Sequence, residues 1–286
     1  RYARFDILPF LWYNKLNIVR AGQNMEAKRE TMNLGTAPVG RLVAKLAIPA
    51  VVAQIINLLY NLVDRMYVGG IEGIGTDALA GLGVVLPITL IVSAFSNLVG
   101  MGGAPLASIF LGERKREDAE KVFNAGFVML ALFGVALTAV VLSAGDALIR
   151  LFGSPDSAFP YASEYLFVYG TGTIFVMISL GLNPFITAQG FSFTSMATVA
   201  IGAVLNIGMD PLFIFVFGMG VKGAALATVL SQAVSALWVT LFFFRKKSQL
   251  RFRVRMFRPD AALARRMLLL GLSPFIMSVT ESAIQI

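Results

Sequence analysis

Residues 46–68 read LAIPAVVAQIINLLYNLVDRMYV, with one acid and one base, Asp64 and Arg65, adjacent near the end. About 20 consecutive apolar residues suffice to carry a helix across a bilayer. The polar residues inside the run are not scattered. Gln54, Asn57, Asn61 and Asp64 follow one another in steps of three and four, so a helix places them on one face, with Tyr60 one turn before Asp64. An apolar helix with a single polar stripe presents that stripe to protein and the rest to lipid.

Working outward, five more complete runs of this kind follow, at about residues 78–111, 122–143, 165–188, 195–217 and 224–244, and a seventh begins near 267. The second run is interrupted by Gly100-Met-Gly-Gly-Ala-Pro105, where a hinge or an ordinary membrane kink is expected. Short connectors with turn formers separate the runs. The runs lack the ~10-residue alternation of a membrane barrel. The fold class is therefore an all-α polytopic membrane protein: a six-helix transmembrane bundle plus the start of a seventh helix. The domain reading is an N-terminal segment at 1–34, surface-lying or foreign, a six-helix lobe at 35–246, and a basic cytoplasmic linker with the start of a second lobe at 247–286. The patch at residues 7–13 is too short to span, no small-residue cleavage site follows it, and no function is assigned to it.

Composition agrees. Of 286 residues, 57% are hydrophobic and 14% charged, against about a quarter charged in an average soluble domain. The absence of Cys and His removes disulfides, Cys/His zinc sites and histidine-based triads together. The net charge of +8 has a definite address: of 24 Lys and Arg, 21 lie in residues 1–45, 114–121 and 245–266. The alternate connectors carry only Arg65, Arg150 and Lys222. This alternation places the N-terminus and the 2–3 and 6–7 connectors in the cytoplasm. The basic stretches thus read as topology signals facing anionic lipid, not as a nucleic-acid surface.

Ionisable groups at a helix centre in the membrane cost about 2.5–3.5 kcal/mol, so the few present stand out. Asp64, Asp210 and Glu281 are the intramembrane carboxylates. Asn206 and Asp210 lie at i, i+4 in run five, as do Asn183 and Thr187 in run four, and run six offers Thr228, Ser231, Gln232 and Ser235. At about 1.5 Å per residue, Asp64 lies about 28 Å from Lys45, Asp210 about 24 Å from Thr194 and Thr228 about 9 Å from Lys222. All three fall in the outer half of a ~30 Å core. Polar groups at one depth on three helices build an oxygen-lined site, suited to Na⁺ or, through the carboxylates, to a proton. The competing reading is that these side chains only join helices by hydrogen bonds. It weakens for the two aspartates, since a neutral residue would do that at lower cost. Gly218-Met-Gly220-Val-Lys-Gly223 matches G-x-G-x-x-G, but it follows a membrane run rather than a strand, so it reads as a tight outer turn.

These features converge on a family. Residues 59–69 (LYNLVDRMYVG), 78–83 (ALAGLG), 205–213 (LNIGMDPLF) and 218–228 (GMGVKGAALAT), in that order and between those helices, resemble the multidrug and toxic compound extrusion (MATE) transporters, especially a bacterial efflux branch. The resemblance runs from about Gly35 to Ile286. It implies twelve helices in two six-helix lobes and efflux of organic cations coupled to inward Na⁺ or H⁺. It implies that Asp64, Asn206, Asp210 and Thr228 hold the coupling cation, Na⁺ if a metal is used, with Tyr60 as a neighbour. Glu281 corresponds to an acid that some members use in helix seven. It further implies a multi-pass protein of the cytoplasmic membrane, with small organic cations and membrane lipid as partners, no cofactor beyond the coupling ion and no enzymatic activity. Pro49 and Pro274, each opening an apolar run, lie 225 positions apart, the echo expected of repeated bundles. Helices eight to twelve lie beyond this sequence, so half the central cavity would come from the missing lobe. Two other readings stay open: a flippase of lipid-linked sugars, for which a basic cavity would be expected, and a non-transporting membrane scaffold.

Overall fold

The computed structural model describes residues 39–256 and 260–285; the segment 1–34 lies outside them. Two units are distinguished, Arg1–Leu46 and Ala47–Ile286. Of the first, residues 39–46 are described and form the opening turns of a helix. The second holds the remaining helices and their connectors.

Seven α-helices make up the described chain: α1 (Val39–Gly69), α2 (Gly75–Gly112), α3 (Arg116–Leu151), α4 (Phe159–Ala188), α5 (Ser192–Pro211), α6 (Val221–Phe244) and α7 (Ala261–Ile284). No strand occurs among the described residues. All seven are long and apolar enough to cross a membrane, and the chain is a multi-pass membrane protein. Local chemistry sets several boundaries. Glu117 and Asp118 stand in the first turn of α3 and Arg150 in its last, each charge opposing the helix dipole. Asp260 caps α7 by accepting from the Ala262 N–H at 3.1 Å.

α4 is the most deeply buried helix and packs along α2, α3 and α6, while α5 lies against α6 and α7 against α2. The core is apolar and aromatic, with Phe123, Leu130, Met177, Phe185 and Phe243 fully enclosed. Large apolar side chains also cover the outside: Leu132, Phe167, Phe193, Leu237 and Met277 are exposed. In a bilayer these face lipid, which solvates them as the core would. α1 follows the stripe seen in its sequence only in part: Ile55, Leu58, Leu59, Leu62 and Met66 point outward, Asn57, Tyr60 and Asn61 are half-buried and Asp64 and Val68 buried, but Gln54, the first residue of the stripe, is exposed.

The second apolar run differs from expectation. α2 passes without a break through Gly100–Pro105 and contains both Pro87 and Pro105. The glycines there serve close approach. A methyl group on Gly100 would stand 2.6 Å from the Gly181 carbonyl oxygen of α4, and one on Gly102 would overlap the Met267 carbonyl oxygen of α7. On the facing helix, a methyl on Gly271 would overlap the Leu98 carbonyl oxygen. Backbone-to-backbone contact of this kind is what small residues permit between membrane helices. Gly102→Ala should therefore destabilise the bundle by about 1–3 kcal/mol through overpacking, lowering the thermal midpoint in detergent. Gly83→Ala, where nothing lies within 4 Å of the added carbon, should leave it unchanged.

Candidate cation site

The site forms where α1, α5 and α6 come together. α1 brings Asp64, 8% exposed, and α5 brings Asn206 and Asp210, at 1% and 0%. Their carboxyl groups meet side by side. Asn206 joins the helices: its Nδ2 donates to Asp210 Oδ1 and to Thr228 Oγ1 of α6, both at 3.3 Å. Thus Asp64, Asn206, Asp210 and Thr228, far apart in sequence, are assembled into one buried cluster.

The local backbone explains how Asp210 is presented. Pro211 has no N–H to continue the α-helical ladder, and α5 ends there in a π-helical segment, Leu212–Val216. Its wider turn is closed by the Phe217 N–H on the Leu212 carbonyl at 2.9 Å. A π-segment beside a functional residue is a recurrent arrangement. The chain then reverses through Gly218 and Gly220, with φ of 64° and 57°, a left-handed conformation that glycine adopts without steric cost. A methyl on Gly223 would stand 2.7 Å from the Phe213 backbone. The glycine-rich motif is accordingly a tight turn that seats α6 against the π-segment and brings Thr228 to Asn206.

A cavity of about 230 Å³ opens beside the cluster, lined by Tyr60, Asp64, Thr228 and Gln232 together with Tyr165 and Tyr169 of α4. Drug-sized ligands occupy sites of about 300–1,000 Å³, so this space is on the scale of an ion and its water. Tyr165 lines the cavity with Thr228 and stacks on Tyr169 at 6.3 Å between ring centroids. Both tyrosines are additions to the sequence reading. Tyr161, Tyr165 and Tyr169 recur every four residues, and that spacing on one helix face was the available signal. Glu281 does not join the cluster: it is exposed on α7, and its neighbour Ser282 is the buried residue, donating to the Pro87 carbonyl at 2.9 Å.

The donor inventory favours a hard monovalent cation or a proton. Asp64 Oδ1, Asn206 Oδ1, Asp210 Oδ2 and Gln232 Oε1 are buried and make no hydrogen bond within the protein. All are acceptors, and carboxylate and amide oxygens are the ligands that hard cations prefer. No group of three or more His, Cys, Asp or Glu side chains able to hold a metal ion occurs among the described residues. The residues therefore fit Na⁺ or H⁺ and lack the ligand set of a transition-metal centre.

Known proteins give this arrangement a context. The chain is similar to the multidrug export protein MepA of Staphylococcus haemolyticus, 26% identical over 82% of this chain and 51% of the relative. For MepA of Staphylococcus aureus (strain NCTC 8325 / PS 47) the values are 24%, 85% and 53%. The chain spans about half the length of these relatives. Among solved structures, a MOP superfamily transporter from Pyrococcus furiosus matches with a TM-score of 0.77 and 28% identity, over 83% of this chain and 52% of that one. A multidrug resistance MATE family transporter in its inward-facing conformation matches at 0.76 and 27%, over 85% and 55%. The MatE family model matches residues 49–212, which include Asp64, Asn206 and Asp210. That match covers more than half of the sequence, and the chain belongs to the MATE family of membrane transporters.

Proposed function

We propose that this chain is the amino-terminal lobe, with the start of a second, of a multidrug antiporter that exports organic cations and is driven by inward Na⁺ or H⁺. The observation that carries this reading is the buried Asp64–Asp210 pair, on two different helices, with oxygens left without protein donors. Two carboxylates in an apolar bundle repel when both are ionised. A proton or Na⁺ removes that repulsion and draws α1 toward α5. Loss of the ion to the cytoplasm lets them separate. The bundle is thereby biased between two packings, and a ligand acts only through its different affinity for each. The π-segment after Asp210 gives α5 a compliant end for such a change. The cavity beside the cluster, about 230 Å³, is below the size of drug sites, so the organic cation would be held between this lobe and its partner, where repeat interfaces place substrate. Asp64 and Asp210 are buried, while Arg65, the base at the cavity wall, is exposed; a buried excess of negative charge favours a cationic cargo over a lipid-linked sugar phosphate.

In proteoliposomes holding the full-length protein that carries this lobe, a cationic dye should be exported along an imposed Na⁺ or H⁺ gradient. Asp210→Asn, which keeps the shape and removes the titrating charge, should abolish the gradient dependence. Unchanged ion-coupled efflux in that variant would overturn the cation assignment.

The charge distribution supports a cytoplasmic N-terminus in the cytoplasmic membrane. Because the chain has no Cys, single cysteines report orientation cleanly. Lys246→Cys should react with a membrane-impermeant maleimide only after cells are opened, and Asp156→Cys should react in intact cells.

A further inference from the structure

A second polar cluster sits at the other end of the bundle, away from the cation site. Glu120, near the start of α3, is fully buried. Its carboxylate lies 2.5 Å from Arg253 Nε and 3.3 Å from Arg116 Nε. Arg116 Nε also donates to the Gln249 carbonyl at 2.8 Å. One turn on, the fully buried Asn124 grips the backbone of the α6–α7 connector. Its Nδ2 donates to the Arg251 carbonyl at 3.0 Å, and its Oδ1 accepts the Arg253 N–H at 2.9 Å. Gln189, at the end of α4, does the same from the other side. Its Oε1 accepts from Ser248 Oγ at 3.0 Å and from the N–H groups of Gln249 and Leu250 at 2.7 and 3.3 Å. Leu250 is fully buried, and the Phe252 ring packs at 4.9 Å from both Phe123 and Phe127.

The connector has no regular secondary structure over residues 248–253. Buried backbone must nevertheless find partners, and here side chains of two helices supply them. A buried carboxylate without counter-charges would be costly, so the two arginines and Glu120 hold one another in place. None of these groups belongs to the cation site.

We propose that Glu120, Asn124 and Gln189 form a latch that fixes the α6–α7 connector, through Arg253, to the ends of α3 and α4. The connector then moves as part of this bundle, and the chain is handed on toward α7 from a set point.

Hydrogen–deuterium exchange of the purified full chain, followed by mass spectrometry, tests this independently of ion coupling. Segment 248–253 should be protected in the wild type. Gln189→Ala or Asn124→Ala should raise its exchange rate about tenfold, the scale of one or two lost hydrogen bonds, while α4 and α5 exchange as before. Ser248→Ala removes a hydroxyl whose single proton is shared between Gln189 Oε1 at 3.0 Å and the Leu250 carbonyl at 2.7 Å and alters no helix, so it keeps the test open should a helix variant fail to fold; it should give a smaller rise in the same segment. Complete exchange of this segment within seconds in the wild type, or equal protection in Ser248→Ala and wild type, would overturn the latch. Such a failure would leave the proposed efflux activity untouched, since efflux is not the readout.

Discussion

Two carboxylates held against each other in an apolar bundle set the terms for everything around them. Asp64 and Asp210 are 8% and 0% exposed, and like charges so enclosed do not both persist without compensation. Asn206 steadies Asp210 and ties it to Thr228, yet oxygens of both aspartates remain without a protein donor. A site built only to join helices would have used neutral groups and satisfied them. The two buried carboxylates face the single nearby base Arg65, and the proposed proton or small cation would make up the remaining positive charge.

The rest of the fold presents this pair. Pro211 ends the α-helical ladder directly after Asp210, the π-segment widens the turn, and Gly218, Gly220 and Gly223 fold α6 back closely enough for Thr228 to reach Asn206. α4, in the centre, contributes Tyr165 and Tyr169 as the cavity wall. At the opposite end, Glu120, Asn124 and Gln189 hold the connector to α3 and α4. The bundle therefore has one polar centre where two carboxylates meet and another where the Glu120 carboxylate is paired with Arg116 and Arg253. Mobility is expected at the first and rigidity at the second.

Much of this was legible in the sequence, for reasons that differ by residue. Asp64, Asn206, Asp210 and Thr228 stood out because polar residues are rare inside apolar runs and helical spacing puts them on shared faces. The helices themselves followed from run length. Gly100–Pro105 misled because Gly and Pro are helix breakers in water, whereas neighbouring helices stabilise them in a membrane; only the packing shows that these glycines admit α4 and α7. Tyr165 and Tyr169 were masked by the ordinary preference of tyrosine for membrane interfaces. Glu120, Asn124 and Gln189 were beyond reach, since they sit at charged or polar run ends and their partners lie 59 to 133 residues away. Glu281 is a separate case: its expected role lay with the second lobe, and in this chain α7 leaves it exposed beside the buried Ser282.

The central claim is that the Asp64–Asp210 pair exchanges a proton or a cation. Infrared difference spectra of the purified protein, taken between acidic and alkaline buffer with and without Na⁺, read the carboxyl groups directly. A protonated-carboxyl band should titrate or be displaced by Na⁺, and should disappear in Asp210→Asn. An identical difference spectrum in wild type and Asp210→Asn would contradict it.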